Sequence, residues 1–274
     1  MAEHPKGLMV EEYQAFVERI AWYSVGIVHA RADVDHAQRR MSDAVGSGTA
    51  CNWKGQRLIL TADHVVANAE PDGLAFLLRV DDAIKWEGSG NSEKVVRRVP
   101  LPVERIIRCK EHDLAAIVLR SPELSNTRLQ FCELPKQLMK RRTLRRKGVL
   151  ILLGFPVDRQ FTISEVRSAN AFINYSAARP TILHATIASL PSKPLSSRYD
   201  PERDVLVDYK PYDPKMRPHG FSGSAAWCDR LRRGRALWAA QPMIFGVQTS
   251  AFMVPKLLQI VGAPTVNEFL ETSF

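Results

Sequence analysis

Residues 46–66 read Gly-Ser-Gly-Thr-Ala-Cys-Asn-Trp-Lys-Gly-Gln-Arg-Leu-Ile-Leu-Thr-Ala-Asp-His-Val-Val. The pattern predicts a β-hairpin whose second, apolar strand runs into a tight turn bearing His64. A strand end fixes the backbone and leaves the imidazole free to face a cleft. An imidazole is the usual general base because its unperturbed pKa lies near neutrality. Two further stretches carry groups that such a base needs. Glu111-His-Asp-Leu-Ala-Ala-Ile-Val-Leu119 sets Asp113 at the mouth of an apolar strand, where a carboxylate can accept the Nδ1 proton of a histidine and hold its tautomer. Pro218-His-Gly-Phe-Ser-Gly-Ser-Ala-Ala-Trp227 places Ser222 between Gly220 and Gly223 and ahead of an apolar strand. Gly220 can take backbone angles that aim its N–H at a developing oxyanion beside a serine nucleophile.

Taken singly, each stretch also has a plain structural reading: a strand-end histidine, a turn aspartate, a loop Gly-x-Ser-Gly. His112 competes as the base, although in an extended segment its side chain points opposite to that of Asp113. Ser224 competes as the nucleophile but lacks a glycine two positions before it. The three together, in the order His, Asp, Ser, are far harder to obtain by accident.

Outward from these stretches the chain reads as many short strands. Val10 to Ala21 is an amphipathic helix. Ser24–Ala30, Gly48–Trp53, Arg57–Thr61, Ala75–Val80, Glu104–Cys109 and Leu114–Leu119 form a first strand set, and Gly148–Gly154, Thr162–Asn170, Thr181–Leu190 and Ile244–Ser250 a second. Strands without long interleaved helices predict β-barrels or a sandwich. Residues 136–147 hold seven Lys or Arg and no acid, and residues 191–219 hold six prolines and read as a long surface loop. The tail shows helical patterns in LLQIV and VNEFLE. The expected division is an N-terminal helical extension over 1–23, a first barrel over 24–135, a basic linker over 136–147, and a second barrel with a C-terminal helix over 148–274.

The 274 residues carry a formal charge of +9 and are 45% hydrophobic, enough for a sizeable core and too apolar for a disordered chain. No run is long and apolar enough to span a membrane, and the N-terminus lacks a secretory pattern. The four cysteines are widely spaced and fit no zinc pattern, so the expectation is a cytoplasmic protein with no metal site and no membrane association. The basic clusters at 136–147 and 230–235 lack interleaved aromatics. They read as a solvated linker and a hairpin tip in preference to a nucleic-acid surface.

The three stretches together resemble the trypsin-like (chymotrypsin-fold) serine proteases, of a bacterial intracellular type. LTADHVV (60–66), DLAAIVL (113–119) and GFSGSAA (220–226) look like the family's histidine, aspartate and serine motifs. GSGTA (46–50) and GVQTSA (246–251) resemble HtrA-like members. The resemblance implies an all-β fold of two packed six-stranded antiparallel barrels with short terminal helices. It also implies peptide-bond hydrolysis through an acyl-enzyme, with Ser222 as nucleophile, His64 as base and acid, and Asp113 as orienter. By the same carry-over, the N–H groups of Gly220 and Ser222 form the oxyanion hole, the hydroxyl of Thr249 meets the aspartate, and Thr249, Ser250 and Ala251 line the substrate. No organic cofactor is implied. Met216 stands where trypsins carry an acid, and such an uncharged pocket floor favours an apolar or small substrate side chain over a basic one, with Asp213, three residues away, as the alternative occupant; His219 is either a rim residue of the pocket or a plain loop histidine. Val65 occupies the position that would pair with Cys51 in secreted relatives, so their disulfide cannot form. The implied partners are a protein or peptide substrate and a regulatory protein, consistent with an intracellular effector. The alternatives are a silent protease-like scaffold acting as a basic binding module, and an esterase or acyl transferase on the same site.

Overall fold

The structure is a computed structural model that describes residues 10–29, 44–79, 96–99, 101–120, 129–140, 149–156, 160–168, 171–178, 180–188, 199–210, 217–229, 242–253 and 256–274. It opens with helix α1 (Val10–Ala21), followed by β1 (Ser24–His29), β2 (Ala44–Trp53), β3 (Gln56–Thr61), β4 (Leu74–Arg79), β5 (Val96–Val99), β6 (Val103–Cys109), β7 (Leu114–Leu119) and β8 (Cys132–Leu134). The second half contributes β9 (Val149–Gly154), β10 (Gln160–Ser168), β11 (Ala171–Ala178), β12 (Thr181–Ile187), β13 (Asp204–Lys210), β14 (Ala225–Asp229), β15 (Pro242–Phe252), β16 (Leu257–Gly262) and helix α2 (Ala263–Ser273).

The strands form two units. Six of them close an antiparallel barrel in the order β12-β13-β16-β15-β14-β9. The others build one sheet in the order β10-β11-β5-β4-β1-β2-β3-β7-β6, with β8 added beside β2. This sheet is a half-barrel, and the β10–β11 hairpin from the second half of the chain extends it by pairing Ala177 and Ala178 with Arg97 and Val96. The expected boundary at 148 therefore does not separate the two units cleanly.

Three apolar clusters explain the arrangement. One fills the first unit around Val25, Ile59, Phe76 and Ile117. A second fills the closed barrel around Leu150, Phe221, Phe245 and Ile260. The third lies between them and joins Trp53, Leu58 and Leu60 to Trp227, Val247, Val266 and Phe269. Phe16 and Ile20 of α1 enter this same seam, so the N-terminal helix serves as a wedge across both units. Tyr13 on that helix also shares a 2.7 Å hydrogen bond with His184 of β12.

Some expectations change. The stretch 191–219 contains β13, which pairs with β12 and β16 despite its charges. Its acids at Asp204 and Asp208 bracket an apolar centre in which Leu206 and Val207 are buried. LLQIV is strand β16, buried along its whole length, because a short apolar run fits a core strand as well as a helix turn. The start of the basic segment is packed: Gln137 is buried, and the Ile244 N–H donates to the Gln137 carbonyl at 2.7 Å while the Met139 N–H donates to the Ile244 carbonyl at 2.9 Å. Residues 141–147 and 230–235 lie outside the described residues. Among the described residues no helix is long and apolar enough to cross a membrane.

Ile20 is fully buried in the seam cluster. Ile20→Ala is expected to cost about 2–5 kcal/mol of unfolding free energy. Urea denaturation checks this, and a loss below about 1 kcal/mol would show that α1 does not cement the two units.

Candidate active site

His64 sits in a single 3-10 turn, Asp63–Val65, that continues directly from β3. Two anchors hold this turn. His29 Nε2 lies 3.1 Å from the Val65 carbonyl, and Arg108 of β6 forks onto Asp63 with bonds of 2.6 and 3.0 Å. A bidentate guanidinium–carboxylate pair fixes orientation as well as distance. The same hydrogen bonds hold the Arg108 guanidinium above its ordinary pKa.

Asp113 ends the turn between β6 and β7 with φ +50°, in the left-handed region. Aspartate enters that region more readily than most side chains. Arg203, at the entrance to β13, reaches across from the other unit, with its NH1 donating to the Glu111 carbonyl at 3.1 Å and lying 3.3 Å from His112 Nδ1. The rest of that guanidinium is clamped on Asp204, whose side chain is fully buried. Hydrogen bonding to Asp204 raises the pKa of Arg203. His112 thus faces Arg203 and not the candidate site.

Across from this turn, the Asp113 carboxylate accepts three bonds from one residue. The His64 backbone N–H donates to Oδ1 at 3.0 Å, and ring Nδ1 lies 3.0 Å from Oδ1 and 2.9 Å from Oδ2. An ionised carboxylate can only accept, so Nδ1 carries the proton and Nε2 of the neutral ring keeps its lone pair. The His64 side chain is 42% exposed and that of Asp113 only 15%, so the carboxylate is shielded while the ring meets the surface.

The Ser222 loop reaches this pair through a strand overhang. β3 pairs with β2 only from Thr49 onward, which leaves the edge of β2 at Gly46 and Ser47 without a β3 partner. The loop docks on that edge: the Ser47 N–H donates to the Ser222 carbonyl at 2.7 Å and the Ala225 N–H to Thr49 Oγ1 at 3.2 Å. A Cβ built on Gly46 would stand 2.6 Å from Val65 Cγ2 and 2.7 Å from the Ser222 carbonyl oxygen. The residue after His64 and the candidate nucleophile therefore crowd one point of backbone.

Within the loop, Gly220 has φ +96° and Gly223 φ +90°. Between them Phe221 is fully buried in the core of the closed barrel, with its ring against Gly154. Burial of Phe221 leaves Ser222 facing out, partly exposed, whereas Ser224 is 1% exposed. Ser224, the competing candidate, is thereby shut away from the surface. The Phe221 N–H donates to the Pro218 carbonyl and the Gly223 N–H to the Gln248 carbonyl, at 3.1 and 2.7 Å. The N–H groups of Gly220 and Ser222 have no partner among the described residues. No hydrogen bond joins the Ser222 hydroxyl to the His64 ring among the described residues.

The other expected site residues are scattered in outcome. Thr249 is buried at an irregularity between Gln248 and Ser250, where β15 loses its register with β16. Its hydroxyl has no partner among the described residues, so the expected bond to Asp113 is not formed. Ser250 is partly exposed and Ala251 exposed, at the open end of β15. His219 is exposed beside Gly220. Met216 lies outside the described residues. Sequence reasoning missed Ser47, Asp63, Arg108 and Arg203. A buried acid beside the histidine was the one available signal, and only for Asp63. Among the described residues no group of His, Cys, Asp and Glu is arranged to hold a metal ion.

No protein-family model and no curated protein sequence matches the chain. Solved structures do. The Rv3671c protease from M. tuberculosis, in its active form, is similar with a TM-score of 0.51 at 15% identity, covering 97% of this chain and 86% of its own. The serine endoprotease from Yersinia pestis is similar with a TM-score of 0.51 at 16% identity, covering 97% of this chain and 67% of its own. At such identity the likeness is one of fold: the chain has a chymotrypsin-like double-barrel architecture.

The loop's glycines supply a test of this geometry. A Cβ on Gly223 would lie 2.0 Å from the Ser47 carbonyl oxygen and 2.1 Å from Thr61 Oγ1, whereas one on Gly55, at a similar φ of +87°, meets nothing within 4 Å. Gly55→Ala is expected to cost about 1–2 kcal/mol, the left-handed backbone penalty alone. Gly223→Ala adds overpacking and is expected to cost about 3 kcal/mol or more. Equal costs in chemical denaturation would contradict the docking of the loop on β2.

Proposed function

We propose that the chain is a serine endopeptidase in which Ser222 is the nucleophile, His64 the general base and then acid, and Asp113 the orienting carboxylate. The observation that carries this reading is the Nδ1–carboxylate contact of 2.9 Å near an outward-facing serine whose own N–H and that of Gly220 have no partner among the described residues. Ser222 Oγ attacks the scissile carbonyl carbon as His64 Nε2 takes its proton. The carbonyl π-pair moves onto oxygen, which the N–H groups of Gly220 and Ser222 receive. When the tetrahedral intermediate collapses, the C–N bond breaks and His64 returns the proton to the leaving amine. Water, deprotonated by the same ring, then hydrolyses the acyl-enzyme and restores the serine. The His–Ser contact in such sites commonly tightens only when substrate is bound.

In this reading the substrate is a protein or peptide laid along the open end of β15 at Ser250 and Ala251, with His219 at the rim. The HtrA-like look of residues 46–50 and 246–251 supports the same assignment. All four cysteines are free thiols, which is consistent with the proposed cytoplasmic setting. Control by a protein partner belongs to the same proposal.

A fluorophosphonate probe followed by peptide mapping tests the assignment. Label is expected on Ser222 alone and absent from Ser222→Ala. With peptide substrates, Ser222→Ala is expected to lose on the order of 10⁶ in kcat, and Asp113→Asn about 10⁴. Folded wild-type protein that takes no label and cleaves no member of a peptide library would refute the proposal.

A further inference from the structure

Ser47 is fully buried, yet every polar atom it owns is engaged across the seam or across the hairpin. Its hydroxyl donates to the Gly220 carbonyl at 2.5 Å and accepts the Phe155 N–H at 3.0 Å. Its N–H donates to the Ser222 carbonyl at 2.7 Å, and its own carbonyl accepts the Thr61 hydroxyl at 2.7 Å. One residue of the first unit thus holds the Gly220 carbonyl by its side chain and the Ser222 carbonyl by its backbone, and these are the two residues whose N–H groups have no partner among the described residues. We propose that Ser47 is a positioning residue that sets the heading of the Gly220 and Ser222 N–H groups; this rests on the serine peptidase reading above.

The physical argument follows from where the loop can turn. Gly220 has φ +96°, and its Cα is pressed against the Phe155 backbone, whose carbonyl oxygen would lie 2.4 Å from an added Cβ. The Ser47 hydroxyl ties that same Phe155 segment to the Gly220 carbonyl, closing a triangle of three backbone pieces around one oxygen. The Gly220–Phe221 peptide is then pinned at both ends, by Ser47 on its carbonyl and by Pro218 on its N–H. Turning this peptide over breaks both bonds and changes the torsions at the Gly220 Cα, so the preceding His219–Gly220 peptide, which carries the Gly220 N–H, loses its fixed heading. With the hydroxyl gone, only the Pro218 bond opposes that rotation, and the Phe155 N–H is left buried without a partner. Oxyanion stabilisation depends on donors that are already aimed, so a looser loop slows the chemical step and leaves substrate binding largely intact.

The test compares Ser47→Ala with wild type, using peptide ester hydrolysis normalised to the fraction of sites that react with a stoichiometric active-site titrant. The expected result is a fall in kcat per titrated site of about 10- to 100-fold with KM changed less than about twofold. Inhibition by a peptide aldehyde, which adds the serine oxygen and creates an oxyanion, is expected to weaken by the same factor as kcat/KM. A merely structural role lowers yield and melting temperature but leaves kcat per titrated site and aldehyde affinity unchanged, and that result overturns the proposal. If Ser47→Ala does not fold, Ser47→Cys fills the same space with a weaker donor and carries the test, with kcat per site expected to fall at least about fivefold. Wild-type protein that neither titrates nor turns over defeats the peptidase reading and this inference with it. Active wild type alongside Ser47 variants of equal per-site rate defeats this inference alone.

Discussion

The docking of the overhanging edge of β2 onto the Ser222 loop is the contact on which the candidate site depends. His64 and Asp113 both belong to the first unit. Ser222 belongs to the closed barrel. The bonds from Ser47 and Thr49 to residues 220–225, and the bare backbone of Gly46 between Val65 and the Ser222 carbonyl, bring the serine loop up to the histidine turn. A one-residue slip of β2 would reverse which side chains face the seam. Under the proposed function, the register of Thr49 with Leu60 bears on the site as well as on the fold.

Apolar packing and polar wiring divide the labour at this seam. Trp53, Trp227, Phe16 and Ile20 press the units together but are tolerant of small shifts, because dispersion has no direction. Direction comes from a few polar bonds: a buried one from Ser47 on the loop, a half-buried one from Arg108 on the His64 turn, and an exposed one from Arg203 on the Asp113 turn. Each joins elements far apart in sequence, and the Ser47 bonds also satisfy groups that would otherwise be costly to bury. The buried thiols of Cys51 and Cys132, 3.3 Å apart on the paired strands β2 and β8, show how closely the same strand is backed on its other side.

Much of this was legible in the sequence, for identifiable reasons. Leu114–Leu119 is a wholly buried strand, so its apolar run marks both ends. His64, Asp113 and Ser222 each sit beside a local signal: a strand end, a strand start, a glycine pair. β13 was hidden because prolines and charges surround it, although Asp204 is buried there with its carboxylate bonded by Arg203, Gln259 and the Asp200 N–H. β16 was hidden because a short apolar run has no period that separates strand from helix. The allocation of β10 and β11 to the first unit's sheet, and the roles of Ser47, Arg108 and Arg203, depend on which distant strands become neighbours. Composition and periodicity do not encode that. Ser47 stood in plain view within GSGTA and gave no sign of its partners.

The most direct measurement is a crystal structure of the protein after reaction with a fluorophosphonate. The account predicts phosphorus bonded to Ser222 Oγ, and the phosphoryl oxygen about 3 Å from the N–H groups of both Gly220 and Ser222. It also predicts His64 still paired to Asp113 through Nδ1. An adduct on another residue, or on Ser222 with its phosphoryl oxygen turned away from both N–H groups, would contradict it.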